Sequence, residues 1–151
     1  MIDIDRTIEK IDELIEKSCY IIDVLPEQVP ADSKGKFFEV ENYLLNDFKQ
    51  NGLLTKFSNI LLKLMCYYSI SILWDCWIEE PTPEMVVNII CEILENHSGT
   101  VYILFSNEDA LLTFEWDCLH MSIYNPDEDM KRILDKLAIS EGLFFRNGLD
   151  S

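Results

Sequence analysis

Two residues with side chains suited to catalysis or metal binding lie close together in the sequence, Cys118 and His120. Their spacing puts both on one face of a regular β-strand, where Cys76 or Asp117 would have to complete a zinc site. Structural zinc needs four nitrogen or sulfur ligands, usually in close pairs, and the chain has only 2 histidines. A Cys118 nucleophile with a His120 base is no better supported, because same-face neighbours point in parallel and nothing supplies an orienting group. We therefore expect no metal and no cofactor, and we interpret His120 as a half-buried, hydrogen-bonded side chain.

Acidic residues form the second group with chemical potential, because they occur in short clusters. The clusters are Glu79 with Glu80, Glu108 with Asp109, and Asp127 with Glu128 and Asp129. Carboxylate pairs can act as acid and base or bind Mg²⁺, yet none of these lies beside a candidate nucleophile or in a D-x-D-x-D-G loop. Helix capping is the simpler interpretation of the last cluster, because carboxylates favour the first turn of a helix.

A functional interpretation of the same clusters depends on how the strands are arranged. If the strands that precede Glu79 and Asn125 run parallel in one sheet, the clusters that follow them fall at one edge and pool their charge. Trp77 alternates with Trp74 on its predicted strand and so faces the other way, next to Glu79. It is a candidate aromatic anchor beside an acidic rim, and burial against a helix is the alternative. The candidate partner-binding residues are Trp77, Glu79, Glu80, Asp127, Glu128 and Asp129.

Composition narrows the class of partner. The chain has 151 residues, with 12 Lys and Arg against 28 Asp and Glu, and a net charge of −16. Since 48% of the residues are hydrophobic, the chain can bury a core and is unlike a disordered acidic tail. Negative charge repels phosphate groups, so direct binding to nucleic acid or to an anionic membrane is disfavoured. A cationic protein is the expected partner.

The N-terminus and the cysteines indicate a cytoplasmic protein. The first residues are acidic and amphipathic, unlike the basic start of a secretory signal. The 5 cysteines include no C-x-x-C pair and fit a reduced protein better than a disulfide framework. The most apolar stretch lacks charge only over residues 64–74, which is short of the roughly 20 residues that span a bilayer.

Hydrophobic periodicity divides a predicted single domain, residues 1–151, into a helical half, 1–66, and a sheet-containing half, 67–151. An amphipathic helix is expected from Ile4 to just before Pro26, followed by helices over about 37–51 and 53–66. Over residues 68–79 the period changes to two, which predicts a strand, with a continuation of the third helix as the alternative.

The second half alternates between strands and helices. A helix from Pro83 stops near His97, strands follow over 100–105 and 110–116, and a change of parity near Cys118 calls for a bulge or a new strand. Asn125 and Pro126 open a last helix, and a strand over 143–145 closes the chain. The segments that begin at Trp74 and Trp116 share the same order of predicted elements, a strand, a helix and a strand. This similarity arises either by chance or because the segments are two strand-helix-strand units. We predict an α+β fold in which N-terminal helices pack with a mixed β-sheet carrying these two units.

The sequence W-D-C-L-H-M-S-I-Y-N-P over residues 116–126, with S-E-G-L-F-F over residues 140–145, resembles small bacterial immunity proteins of polymorphic toxin systems. Contact-dependent growth inhibition is the system that it resembles most. The motifs cover roughly the last third of the chain, and the N-terminal half is similar only in size and acidity. The motif residues supply alternating core groups, a helix start at Pro126 and a turn at Gly142. No catalytic residues are carried over, because such proteins act by stoichiometric binding.

The resemblance implies a cognate toxin domain as the partner, often a cationic nuclease. In some growth-inhibition systems the target is tRNA and elongation factor Tu takes part in the complex. We therefore expect a non-enzymatic immunity protein that neutralises a basic toxin C-terminal domain, with no direct contact to nucleic acid or membrane. Two alternatives stay open: a small cytosolic enzyme that uses carboxylates or Cys118, and an acidic nucleic-acid mimic that blocks a DNA-binding protein.

Overall fold

The computed structural model describes residues 4–116 and 119–148. Its helices are α1 (Ile4–Ile15), α2 (Lys34–Asn46), α3 (Leu53–Leu64), α4 (Pro83–Asn96) and α5 (Glu128–Ser140), with a 3-10 turn at Ala31–Ser33. Its strands are β1 (Cys19–Asp23), β2 (Ser71–Leu73), β3 (Trp77–Glu79), β4 (Thr100–Phe105), β5 (Ala110–Glu115), β6 (His120–Tyr124) and β7 (Phe144–Asn147). The predicted α+β class is confirmed.

The strands form one sheet in the order β3-β2-β4-β5-β6-β1-β7, and every pair in it is antiparallel. The prediction of a mixed sheet is therefore wrong, although both strand-helix-strand units exist. β3, α4 and β4 form one unit, and β6, α5 and β7 form the other. In each unit the two strands run in the same direction, but a third strand, β2 or β1, lies between them and pairs antiparallel with both.

The predicted first helix, from Ile4 to Pro26, is wrong in its second half. Helix α1 ends at Ile15, and Cys19–Asp23 forms strand β1 inside the half of the chain that was expected to be helical. Ile21 and Ile22 are 1% and 0% exposed, and as neighbours on a strand they face opposite sides of the sheet. A strand that is buried on both faces reads as a continuous apolar run, which over a few residues cannot be told from a buried helix.

The single strand predicted over residues 68–79 is a hairpin. β2 and β3 pair through Ile72 and Ile78, and Trp74 N donates to Cys76 O at 3.2 Å across the turn. No Gly or Pro marks this turn, so the alternation of side chains hides it. The strand interpretation is nevertheless confirmed over the helical alternative, and the expected new strand after Cys118 is present as β6.

The core lies on both faces of the sheet. The large cluster joins α2, α3, α4 and α5 to one face, with Phe57, Ile90 and Phe114 at its centre. Helix α1 covers part of the opposite face, where Ile11 and Leu14 pack on Leu104 and Leu111. The sheet thus packs against a layer of four helices on one face and against the single N-terminal helix on part of the other.

Candidate partner-binding surface

The order of the strands brings the acidic clusters to one end of the sheet. β3, β4 and β6 run in the same direction, so the residues after each of them lie on one side. We call this end the acidic rim; it consists of Glu79, Glu80, Glu108, Asp109, Asp127, Glu128 and Asp129. Four strand spacings separate β3 from β6, roughly 19 Å. The rim is therefore long enough to contact a protein rather than to hold one small ion.

The turn over residues 106–109 fills the space between the two outer clusters. A groove of about 360 Å³ runs between Glu79, Glu80 and the turn residues Ser106 and Asn107. At the other end of the turn, Asn125 Nδ2 donates to Asp109 O at 2.8 Å. The cluster at Glu108 and Asp109, which sequence analysis left without a role, thus joins the two clusters that it selected.

The charges of the rim act on one another. Burial raises the pKa of Glu108, and the nearby carboxylates of Asp127 and Asp109 raise it further. Burial also raises the pKa of Tyr68, with Asp127 and Glu108 as the next causes. The Oε1 atom of Glu108 is buried and has no hydrogen-bond partner among the described residues. Concentrating negative charge here therefore costs folding free energy.

Residues with positive φ are also concentrated at the rim. The described non-glycine residues with positive φ are Glu80 (47°), His97 (51°), Asp109 (51°) and Asn125 (61°). All except His97 lie in the rim or directly before its last cluster. Asp and Asn adopt this left-handed conformation in turns more readily than other residues with a side chain, so Glu80 is the rim residue that carries backbone strain. The strain and the buried carboxylate point to the same part of the fold.

Cations only partly neutralise the rim. Asp109 pairs with Lys10 at 2.6 Å, Glu128 with Lys131 at 3.0 Å and Asp129 with Arg132 at 3.9 Å. These carboxylates are largely exposed, and exposed pairs contribute little to stability. Across residues 4–116 and 119–148, no ion pair involves Glu79, Glu80 or Asp127. The rim keeps a strong negative charge.

Asp127 has a structural role, as the capping interpretation predicts. It is the N-cap of α5, and its Oδ1 accepts a hydrogen bond from Met130 N at 2.8 Å. Asp127→Ala should lower the free energy of unfolding by about 1 kcal/mol, measured by urea denaturation. Asp127→Asn keeps a capping oxygen and should stay close to the wild-type stability. Equal losses in both variants would mean that the charge, and not the cap, stabilises the helix.

Trp77 is not a protruding anchor. It is half-buried, packs against the cluster of Ile11 and Leu104, and faces away from Trp74, as its alternation predicts. With Glu79 it lines a cleft of about 850 Å³ between α1 and the sheet. Its Nε1 atom is buried without a hydrogen-bond partner in the described part of the chain. Trp77 is therefore better described as buried against helix α1 than as a free aromatic side chain at the rim.

His120 and Cys76 are too far apart to share a zinc site. Cys118 and Asp117 lie outside the described residues. His120 is half-buried on β6, whereas Cys76 is exposed in the turn after β2, and two strands separate β2 from β6. That separation is roughly 14 Å, too far for Cys76 and His120 to share a zinc ion. Within the described ranges, no group of three or more His, Cys, Asp or Glu residues could hold a metal ion.

Arg146 and Asp23 form a buried charged pair that the sequence did not predict. Arg146 on β7 donates from Nη2 to Asp23 Oδ2 on β1 at 2.5 Å, and each side chain is about nine-tenths buried. The two residues are 123 positions apart. A lone Arg on a short terminal strand was the only available signal, and it does not identify its partner.

Two further observations bear on function. In the described part of the chain, no helix combines the length and the apolar character needed to cross a bilayer. The chain matches no family model, no curated protein and no solved structure.

Proposed function

We propose that this protein is an immunity protein that binds a cationic toxin domain in the cytoplasm and neutralises it by stoichiometric inhibition. The acidic rim is the surface that attracts the toxin. The observation that carries the proposal is the concentration of carboxylates along the rim, where the Oε1 atom of Glu108 is buried without a hydrogen-bond partner among the described residues. Charge retained at the expense of stability is typical of a surface that serves binding.

Electrostatics gives the proposal a physical basis. An inhibitor that protects its own cell has to capture its target quickly, and opposite charges raise the association rate by steering. The net charge of −16 supplies the long-range attraction, and the rim gives it a direction. A nuclease fits as the toxin, because a domain that binds phosphate backbones carries a basic surface. A tRNA-cleaving nuclease with elongation factor Tu in the complex is a finer version of the same proposal.

The partner can be identified directly. Affinity purification of the tagged protein from its native cells, followed by mass spectrometry, should recover a basic C-terminal domain of a large secreted protein. A coding region for such a protein next to this one would support the proposal. An enzyme would instead lose activity when Cys118 or His120 is replaced by alanine in a folded protein. Recovery of a DNA-binding protein would favour the nucleic-acid mimic.

The rim itself can be tested by charge reversal. The triple variant Glu79→Lys, Glu80→Lys and Glu128→Lys should slow association with the basic partner about tenfold and flatten its dependence on ionic strength. Stopped-flow measurements over a range of salt concentrations report both quantities. The dissociation rate should change less, because charges at the margin of an interface act mainly on the encounter.

A matched control separates the rim from net charge. Glu39→Lys, Glu92→Lys and Asp135→Lys change the net charge equally at exposed positions on α2, α4 and α5. If this variant slows association as much as the rim variant, the rim has no special part in binding. If neither variant changes the rate, the toxin binds elsewhere, and the acidic side of α1 around Asp12 and Glu16 becomes the next candidate.

A further inference from the structure

Helix α1 carries an apolar stripe that its packing on the sheet leaves largely uncovered. Its isoleucines are spaced by four, three and four residues, which is the spacing of a coiled-coil seam. They are Ile4, Ile8, Ile11 and Ile15. Ile11 is buried, whereas the other three are 52%, 41% and 39% exposed in chain order. We call these three exposed side chains the isoleucine stripe.

The contacts of α1 show which way the stripe faces. Ile11 and Leu14 pack on the sheet, and Glu13 and Lys17 line the cleft that opens at the acidic rim. Because a helix turns by about 100° per residue, the isoleucine stripe lies on the flank of α1 opposite that cleft. Since α1 covers only part of this face, the stripe borders a region of the sheet in which Tyr102 is only half-buried.

Helix α1 lies directly beside the acidic rim. Lys10 Nζ pairs with Asp109 of the rim at 2.6 Å. Just after the helix, Asn125 N donates to Ser18 O at 2.8 Å, which holds the end of α1 next to the last cluster of the rim. A partner that is attracted to the rim therefore reaches α1 without crossing the sheet.

The charges next to the stripe are all of one sign. On its solvent side the stripe is bordered by three exposed acidic residues, Asp5, Asp12 and Glu16. None of the three takes part in an ion pair between described residues. The basic residues of the helix, Arg6 and Lys10, line the cleft on the other flank. The stripe is thus an apolar surface with an acidic border.

This border decides which class of molecule can cover the stripe. A second copy of the chain would bring its own three carboxylates to the interface, and an anionic membrane would also be repelled. A cationic helix instead places its apolar side on the isoleucines and its basic side chains beside the carboxylates. The heptad spacing favours a helix, because the a and d side chains of two helices interlock.

We propose that the isoleucine stripe binds an amphipathic helix of the cationic protein partner, with basic residues on both sides of the apolar face of that helix. This inference rests on the proposed function only in that the partner is basic. The rim accelerates the encounter by long-range attraction. The stripe then slows dissociation, because apolar contact acts only at short range.

A synthetic peptide tests the stripe without the toxin. The probe is a helix of about three heptads with leucine at a and d and lysine at e and g. Titration into the ¹⁵N-labelled full-length protein should give saturable chemical-shift changes at Ile8 and Ile15. A scrambled peptide of the same composition keeps the charge but loses the apolar face, so it should bind about tenfold more weakly. Equal binding of the two peptides would overturn the proposal, because charge alone would then be recognised.

Matched variants link the shifts to the stripe. Ile8→Gln combined with Ile15→Gln should weaken peptide binding about tenfold, and glutamine is a good helix former, so α1 should stay folded. Ile139→Gln removes an isoleucine that is 64% exposed on α5, and it should leave binding unchanged. Asp12→Asn should weaken binding about threefold at low salt, whereas Asp135→Asn at an exposed position of α5 should not. Shifts that persist in the double isoleucine variant would overturn the stripe.

The toxin complex separates this inference from the proposed function. The double isoleucine variant keeps every charge, so it should dissociate from the basic partner about tenfold faster with an unchanged association rate. Unchanged dissociation would overturn the stripe and leave the rim untouched. Sedimentation that shows wild-type dimers and monomers of the double variant would also overturn it, because a second copy would then cover the stripe. If purification recovers no basic protein, the proposed function fails, and the stripe stands or falls with the peptide titration.

Discussion

Arg146→Met should lower the free energy of unfolding by about 3 to 5 kcal/mol, one of the two largest losses we expect from a single substitution. The Arg146 guanidinium is the ion-pair partner of Asp23 inside the sheet, and the two side chains are only 12% and 10% exposed. Removing the cation leaves a carboxylate that is shielded from water without its counter-charge. Denaturation in urea at neutral pH measures the loss directly.

A double variant distinguishes the lost pair from lost packing. Asp23→Leu combined with Arg146→Met replaces both charged groups with apolar ones of similar size, and it should recover most of the stability lost in Arg146→Met. Additive losses would mean that each residue acts on its own. In that case the hydrogen bond between β1 and β7 would contribute little to holding these two strands together.

Gly99→Ala should be the second severe substitution, at about 2 to 4 kcal/mol. Gly99 has φ +100°, a conformation that a residue with a side chain rarely adopts. A Cβ atom there would also lie 2.5 Å from Cη2 of Trp74, well inside van der Waals contact. The cost therefore combines backbone strain with a clash against a ring that packs on the main core.

Two comparisons test this explanation. Gly35→Ala in α2 places a Cβ in open space, so it should be neutral or slightly stabilising. Adding Trp74→Leu to Gly99→Ala should relieve the clash and leave only the strain of the backbone. A Gly99→Ala protein with the wild-type melting temperature would show that neither the positive φ nor the contact with Trp74 costs stability.

Local pattern predicted the helices after residue 50 well, because their start signals are short-range. Thr82 accepts from Met85 N with Pro83 in the first turn, and Asp127 caps α5. Strands β4 and β5 could be predicted from the length of their apolar segments and from the turn between them. Strand β1 could not be predicted in the same way, because its apolar run has the composition of a helix stripe and becomes a strand only beside β6 and β7.

The candidate surface was predictable only in part for the same reason. The clusters at Glu79 and Asp127 stand out in the sequence, but the strand order that brings them to one end depends on the insertion of β2 and β1. Trp77 faces away from Trp74 as predicted, but its face is set by its pairing with Leu73 across the hairpin and not by alternation along one strand. The packing of α1 over Trp77 could not be predicted, because the position of α1 depends on residues more than 60 positions away. Leu104 and Leu111 are among them.

The position of β1 also determines when the sheet can close during synthesis. β1 consists of residues 19–23, whereas its neighbours in the sheet are residues 120–124 and 144–147, which are synthesised much later. Closing so long a loop is slow, and neither neighbour exists until most of the chain has left the ribosome. Until then β1 lacks both of the strands with which it pairs. The sheet is therefore completed only after both neighbours of β1 have been synthesised.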